Sequence, residues 1–454
     1  MKRLLAANAW LPSGWSDSVH LGVDGHAFAA VEADATDAAA ERVGHYVLPG
    51  MPNLHSHAFQ RAMAGLAERQ HDASDSFWTW REIMYAFAGS IGPDELRAIA
   101  AQLYVEMLEA GYTHVCEFHY LHHRPDGHPY ADPAAMSQAL IEGAREAGIG
   151  ITLLPTLYMT GGFDGRPLSD RQRRFGQTVD AYLSLVESLR AHEDATLRVG
   201  VALHSLRAVP EDAMNAVLSS GLVDAAPIHI HIAEQIGEVQ DCLALRHARP
   251  IDWLLDHAPV DARWCLVHAT HMSDAEVVRL AATGAVAGLC PTTEANLGDG
   301  LFPLKRWLDG DGVIGIGSDS HISVSPVEEL RWLEYGQRLT SRHRNIAAAA
   351  SSDSVGETLW GDGLFGGACA AGAEIGAFEA GLRADLIVLD EDAPALAARD
   401  ASNSIDSFIF AGNANLVRDV MVAGEWVVRG GRHRDRDRIA ARYKTVVARL
   451  AAAV

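Results

Sequence analysis

The chain has 454 residues, with 37 Lys and Arg against 59 Asp and Glu, giving a formal net charge of −22. That length exceeds the roughly 250–300 residues at which a single core stops growing, so one large domain with a smaller companion is expected. An acidic balance of this size excludes general binding to nucleic acid or anionic membrane, which needs a basic footprint.

No apolar run reaches the roughly 18 residues of a membrane span, and the opening MKRLLAANAWLPSG is too short and polar for a signal h-region. Five scattered cysteines without a CxxC (Cys116, Cys242, Cys265, Cys290, Cys369) fit reduced thiols in a cytoplasm. The unusual count is 22 histidines.

In chain order, residues 1–45 read as short strands with Gly and Asp turns. Eight apolar runs follow, at 45–55, 112–118, 150–157, 198–204, 227–233, 264–269, 285–291 and 312–319. Amphipathic stretches such as 93–111 and 273–284 separate them as helices. Eight strands alternating with helices predict an α/β fold, a (β/α)8 TIM barrel, with a doubly wound open sheet as the alternative. Ser325-Pro326-Val327-Glu328 reads as a capping box opening a helix, and the NIAAAASSDS beyond it predicts nothing. In the tail, 383–390, 407–412 and 417–433 read as strands. With the N-terminal strands they suggest a small β-sandwich domain built from both termini, dividing the chain at 1–47, 48–372 and 373–454. Arg429, Arg432, Arg434, Arg436 and Arg438, interleaved with Asp435 and Asp437, read as a solvated surface helix and not as a nucleic-acid patch.

Chemistry concentrates at strand ends, where a barrel builds its site. His55 and His57 close the first run two residues apart, so a strand turns both imidazoles to one face. The fourth run ends in His204, the fifth holds His229 and His231 followed by Glu234, the sixth ends in His268 and the eighth in Asp319. His229 and His231 share a face, so spacing leaves open which of them is a ligand. His271 and His321 lie just past strand ends and suit a supporting or bland role, while His122, His123 and His128 read as loop residues. Three neutral imidazoles and a carboxylate suit one divalent ion such as Zn²⁺ with a position left for water, although iron or manganese would also fit. A second ion would call for a bridging group such as a carboxylated lysine. The three lysines, Lys2, Lys305 and Lys444, end no strand.

The run PGMPNLHSH, the HIHIAE stretch, His268 and GIGSDS with Asp319 resemble the amidohydrolase superfamily in its mononuclear deaminase branch. The likeness covers nearly the whole chain, and AEIGAFEAGLRADLIVLD resembles that family's return into its small β-domain. The resemblance implies a metal held by His55, His57, His231 and Asp319. It implies that Glu234 shuttles a proton to the substrate nitrogen and that His268, with Asp319, handles the proton of the attacking water. Within the branch, NLHSHAFQRAMAG, FWTWREIMY, EFHYLHH and LHSLRAV resemble the deiminases of histidine degradation that act on N-formimino-L-glutamate. That likeness implies that Gln60, Arg81, Tyr120, His204 and Arg207 hold the glutamate portion, with N-formyl-L-glutamate and ammonia as products and a homodimer as the assembly.

The residues themselves agree with a dicarboxylate substrate, because guanidinium pairs bidentately with carboxylate. Arg81 could equally stack in an aromatic cluster of Trp78, Trp80 and Tyr85. The rivals are a mononuclear deaminase of a purine, pyrimidine or S-adenosylhomocysteine-like ring, a chloride-displacing hydrolase on the same scaffold, and a non-catalytic metal-binding barrel. No G-x-S-x-G elbow, P-loop, dinucleotide fingerprint or H-x-E…P-C-x-x-C signature is present.

Overall fold

The computed structural model describes residues 1–68, 77–349 and 352–452, with the backbone alone at 77–79, so the Trp78 side chain lies outside the described residues. Eight parallel strands stand side by side in chain order: Met51–Ser56, Tyr112–His119, Gly150–Leu157, Val201–Ser205, Ile228–Ile232, Trp264–His268, Val286–Leu289 and Val313–Ile316. They are called barrel strands one to eight below. The ring closes where strand one meets the chain beyond strand eight. Ser56 bridges Asp319 in parallel, Asp319 N donates to His55 O at 3.0 Å, and His57 N donates to Asp319 O at 3.2 Å. Sequential order without a reversal is a barrel, since a doubly wound sheet reverses its order at a switch point.

Each predicted run supplies its barrel strand. All eight strands are buried at nearly every position, which is why they read as continuous apolar runs and not as alternations. The run at 45–55 contains two strands, because Glu41–Pro49 belongs to a second sheet and the barrel begins at Met51. Gly50 lies between them with the Thr113 side chain 2.1 Å from where a Cβ would stand, so only glycine fits that corner. The run at 198–204 is broken at Gly200 into Leu197–Val199 and Val201–Ser205.

The helices begin where their caps predict. Pro93–Ala110 has Pro at its first position and stops at Gly111, whose φ of 103° turns the chain left-handed. Ser273 and Glu276 form a capping box ahead of Asp274–Ala281. Ser325 Oγ accepts from Glu328 N at 3.3 Å, opening Pro326–Ser341. Helix Val355–Ala371 rises from the stretch whose sequence predicts nothing. It packs glycine-first under the barrel, and a Cβ on Gly366 would lie 1.9 Å from Ile314 O.

The termini form one eight-stranded sheet, in the order Arg432–His433, Glu425–Arg429, Val417–Val422, Leu386–Leu389, Glu41–Pro49, Lys2–Leu11, Gly14–Asp24, Ala27–Glu32. The expected strand at 407–412 is instead the end of helix Ala401–Phe410. Ile405, Phe408 and Ile409 recur at helical spacing and are buried together, and Asp400 with Asn403 caps the start. The apolar tripeptide Phe408-Ile409-Phe410 read alone resembles a strand, and the cap decides against it. Of the arginines expected on one surface helix, only Arg436 and Arg438 lie on it, at Arg436–Ala451, whereas Arg429 ends one strand and Arg432 begins the next.

Candidate metal centre

His55 sits at the end of barrel strand one, with His57 just past it, and His231 is the fourth residue of strand five. Their Nε2 atoms converge: His55 to His57 at 3.1 Å, His55 to His231 at 3.0 Å, His57 to His231 at 3.3 Å. Asp319 Oδ1 lies 3.6 Å from His55 Nε2 and 3.4 Å from His57 Nε2. His57 Nδ1 bonds Phe118 O at 2.8 Å and His231 Nδ1 bonds His204 O at 2.9 Å. A carbonyl only accepts, so in the neutral rings those Nδ1 atoms carry the proton and both Nε2 atoms present lone pairs.

Burial, reinforced by the neighbouring imidazoles, holds His55 and His231 well below the usual histidine range, and burial takes His57 down to about 3. These rings are therefore neutral near pH 7. Even if His55 donated one N–H, lone pairs would still face each other with no proton between them, an arrangement that a cation satisfies. The spacings are those expected of nitrogens about 2.0–2.1 Å from a tetrahedral ion, which stand roughly 3.3 Å apart. The three histidines are one group that could hold a metal ion; His268, Cys290 and Asp319 are another.

His229 points below this centre and bonds Ala370 O at 2.8 Å, on the floor helix. The shared face of His229 and His231 thus divides into a structural layer and the layer of the site. Beneath these imidazoles runs a buried polar network. Glu117 accepts from Ser56 Oγ at 2.6 Å, Ala58 N at 2.7 Å and Tyr104 OH at 3.1 Å. His321 bridges Ser56 Oγ at 3.2 Å and Ser318 Oγ at 3.0 Å, and Asn53 holds Ser318 from strand one. This network stitches the two segments that close the barrel, directly under His55, His57 and Asp319.

The backbone here is strained. Ala233, His268, Ala269, Asp319 and His321 all have left-handed φ, at 52°, 69°, 47°, 45° and 61°. Each such non-glycine residue costs about 1–3 kcal/mol, and clustering at strand ends is typical of a functional site.

His268 Nε2 stands 3.8 Å from Asp319 Oδ2 and 3.9 Å from Glu234 Oε1, while its Nδ1 meets Glu294 Oε1 at 3.2 Å. Burial alone would depress this imidazole, but Glu234, Glu294 and Asp319 overcome it and hold it at about 10. Asp319 is pushed up to about 7 by burial, against the pull of His268. Glu234 is oriented by Glu238, which accepts from Ala233 N and Glu234 N, both at 3.1 Å.

A pocket opens above these groups. Every predicted site residue except His55, which is fully buried beneath, lines it. Arg81 Nη2 donates to Tyr158 OH at 3.1 Å and Gln172 Nε2 donates to the same hydroxyl at 3.0 Å, while Gln60 Nε2 donates at 3.1 Å to Tyr120 OH, whose ring packs 5.1 Å from that of His57. The Arg81 guanidinium lies 5.1 Å from the Tyr85 ring centre, so the aromatic cluster and the pocket are the same place. The His204 ring packs 4.3 Å from Tyr158 and is kept well below its usual range by burial, then by His231 and the two arginines.

His122 and His123 lie in a loop but are anchored, bonding Thr156 O at 2.9 Å and Gly176 O at 2.7 Å, and His128 is also in that loop. Glu294, Glu238, Tyr158 and the Ser56–Glu117 pair escape sequence reasoning. Glu294 follows strand seven, whose end AVAGLCP carries no histidine or carboxylate to draw attention.

Residues 46–427 match the family model described as "Amidohydrolase family". The chain is 52% identical to the formimidoylglutamate deiminase of Pseudomonas aeruginosa over 453 residues, covering 99% of this chain and all of that one. A crystal structure of an amidohydrolase from Brucella melitensis superposes with a TM-score of 0.94 at 45% identity, over 99% of this chain and all of that one. An adenosine deaminase from Xanthomonas campestris with bound zinc shares the fold, with a TM-score of 0.80 at 21% identity over 99% of this chain and 98% of that one.

Proposed function

The chain belongs to the amidohydrolase family, and from that premise we propose that it hydrolyses N-formimino-L-glutamate to N-formyl-L-glutamate and ammonia, a step of histidine degradation. It is a hydrolase acting on a linear amidine C–N bond. The observation that carries the substrate class is the polarity of one pocket, with converging imidazole lone pairs at one end and the guanidiniums of Arg81 and Arg207 at the other.

His55, His57, His231 and Asp319 would hold one divalent ion, zinc by the match of donors and spacing. When bound, such an ion lowers the pKa of water from ~15.7 toward ~7 and so supplies the nucleophile at neutral pH. Asp319 Oδ2 and His268 Nε2, 3.8 Å apart, take up the proton that the attacking water releases. With an ion held there, His268 would face a weaker carboxylate field than the one that keeps it protonated, and its Nε2 would exchange a proton more readily. Glu234 delivers a proton to the imino nitrogen, making ammonia the leaving group. His268, once protonated, also stabilises charge developing at the attacked carbon.

Arg81 and Arg207 pair with the two substrate carboxylates, and Tyr120, His204 and Gln60 complete the clamp. This local capture is required, because a chain of net charge −22 does not attract a diacid through its overall field. The test is ammonia release from N-formimino-L-glutamate beside guanine, cytosine and adenosine. Turnover confined to the first compound is expected; a preference for any ring compound would overturn the proposal, as would metal binding with no turnover of any of the four.

A further inference from the structure

The mechanism above gives barrel strand seven no role, yet the short helix after it carries a buried carboxylate aimed at the site. Glu294 is 4% exposed. Its Oε1 accepts from Cys290 N at 3.0 Å and faces His268 Nδ1 at 3.2 Å. The residue is anchored on the other side as well, since its backbone N donates to Cys290 O at 2.9 Å and its carbonyl accepts from Asp299 N at 2.9 Å. The carboxylate is thus set by backbone geometry before His268 reaches it.

We propose that Glu294 is a positioning residue that holds His268 in its Nδ1–H tautomer and turns Nε2 into the gap between Asp319 and Glu234. A neutral imidazole carries one proton, and the partner of one nitrogen decides which nitrogen is left as the base. A carboxylate at Nδ1 accepts a proton there and leaves the lone pair at Nε2. Nε2 is then 3.8 Å from Asp319 and 3.9 Å from Glu234, nearly equidistant from the group beside the attacking water and the group that protonates the leaving nitrogen. The same carboxylate stabilises the imidazolium that forms when Nε2 takes up a proton, as a buried acid does behind the histidine of a hydrolytic triad. His268 needs such a hold, because its own φ of 69° and the 47° of Ala269 place the ring on strained backbone.

Two substitutions test this: Glu294→Leu removes the acceptor at Nδ1, and Glu294→Gln keeps a carbonyl oxygen where Oε1 stands. Because Oε1 alone meets both Cys290 N and Nδ1, Gln retains both contacts without the charge, whereas Leu leaves only Asp319 and Glu234, at Nε2, to accept the ring proton and so favours the opposite tautomer. The inference rests on the deiminase reading, so two measurements are paired. With histidine labelled by ¹⁵N, His268 (assigned by comparison with His268→Asn) should show a protonated Nδ1 in the wild type and in Glu294→Gln, and a protonated Nε2 in Glu294→Leu. In turnover, kcat of Glu294→Leu should fall on the order of 100-fold, with KM within about threefold and metal content unchanged. In Glu294→Leu an unchanged tautomer, or an unchanged kcat, would overturn the proposal, and so would a KM that rises in step with the loss of kcat/KM. If the wild type did not act on N-formimino-L-glutamate, the deiminase reading would fail while the tautomer measurement would still judge Glu294.

Discussion

The two ends of the pocket are built differently. At the metal end the groups come from strands one, five, six and the turn after eight, and their orientation is fixed by backbone: Phe118 O and His204 O hold two imidazoles, and the barrel closes through His55, His57 and Asp319 themselves. At the arginine end, Arg81 comes from helix Phe77–Ala88, Arg207 from the turn after strand four, and Tyr158 from just past strand three. The bonds there are side chain to side chain, as in Arg81–Tyr158 and Gln172–Tyr158. In the proposed mechanism the end that performs the chemistry belongs to the scaffold, and the end that selects the substrate is carried on connections free to vary without disturbing it.

If that division holds, substitutions at the two ends should fail in different ways. Glu234→Gln keeps the size of the side chain and removes the transferable proton, so kcat should fall about 10³-fold, within the 10²–10⁴ typical of a general acid. Metal content, measured on the purified protein, should not change. Near-native ammonia release with metal bound would remove Glu234 from the reaction. Arg207→Ala should act on binding: losing a charge-assisted, two-pronged contact worth about 2–3 kcal/mol lowers kcat/KM roughly 30- to 150-fold, mostly through KM. Steady-state kinetics on N-formimino-L-glutamate checks this, and a loss confined to kcat would contradict the separation of the two ends.

The same contrast explains what could be read from the chain. Strand-borne residues announce themselves, because period two and the strand-end rule place His55, His57 and His268 from the sequence, whereas spacing leaves His229 and His231 equal and only the family resemblance selects His231. Asp319 lies three residues past Ile316, yet the tight GIGSDS turn keeps it in register with strand one. Glu294 and Glu238 carry no such period; each works by reaching back from a helix to a strand end, a relation that only the packed structure reveals. Helix Ala401–Phe410 was misread for a related reason, its apolar residues being few enough to suit either period until Asp400 and Asn403 are counted.

The network under the metal end offers a milder perturbation. Ser56 Oγ joins Glu117 to His321 between the two ligand histidines, and Ser56→Ala leaves that carboxylate one donor short without touching a ligand. Metal affinity should weaken about 10-fold, the low end for groups that orient ligands, with KM for substrate unchanged once the site is saturated. Competition against a chelator measures the first quantity. An unchanged affinity would mean that the barrel closure alone fixes the ligands.

The smallest expected effect lies at the arginine end, and it bears on how independent the clamp residues are. Tyr158 OH receives one bond from Arg81 and one from Gln172, so Tyr158→Phe loosens the guanidinium without removing it. A neutral hydrogen bond contributes about 1 kcal/mol, which corresponds to a KM about fivefold higher at constant kcat. Because Tyr158 acts through Arg81, adding Tyr158→Phe to Arg81→Ala should cost almost nothing further, whereas adding it to Arg207→Ala should cost its full fivefold. That difference in coupling is measurable by double-mutant cycles. Equal losses in both backgrounds would show that the hydroxyl meets the substrate directly and that the clamp is a set of separate contacts.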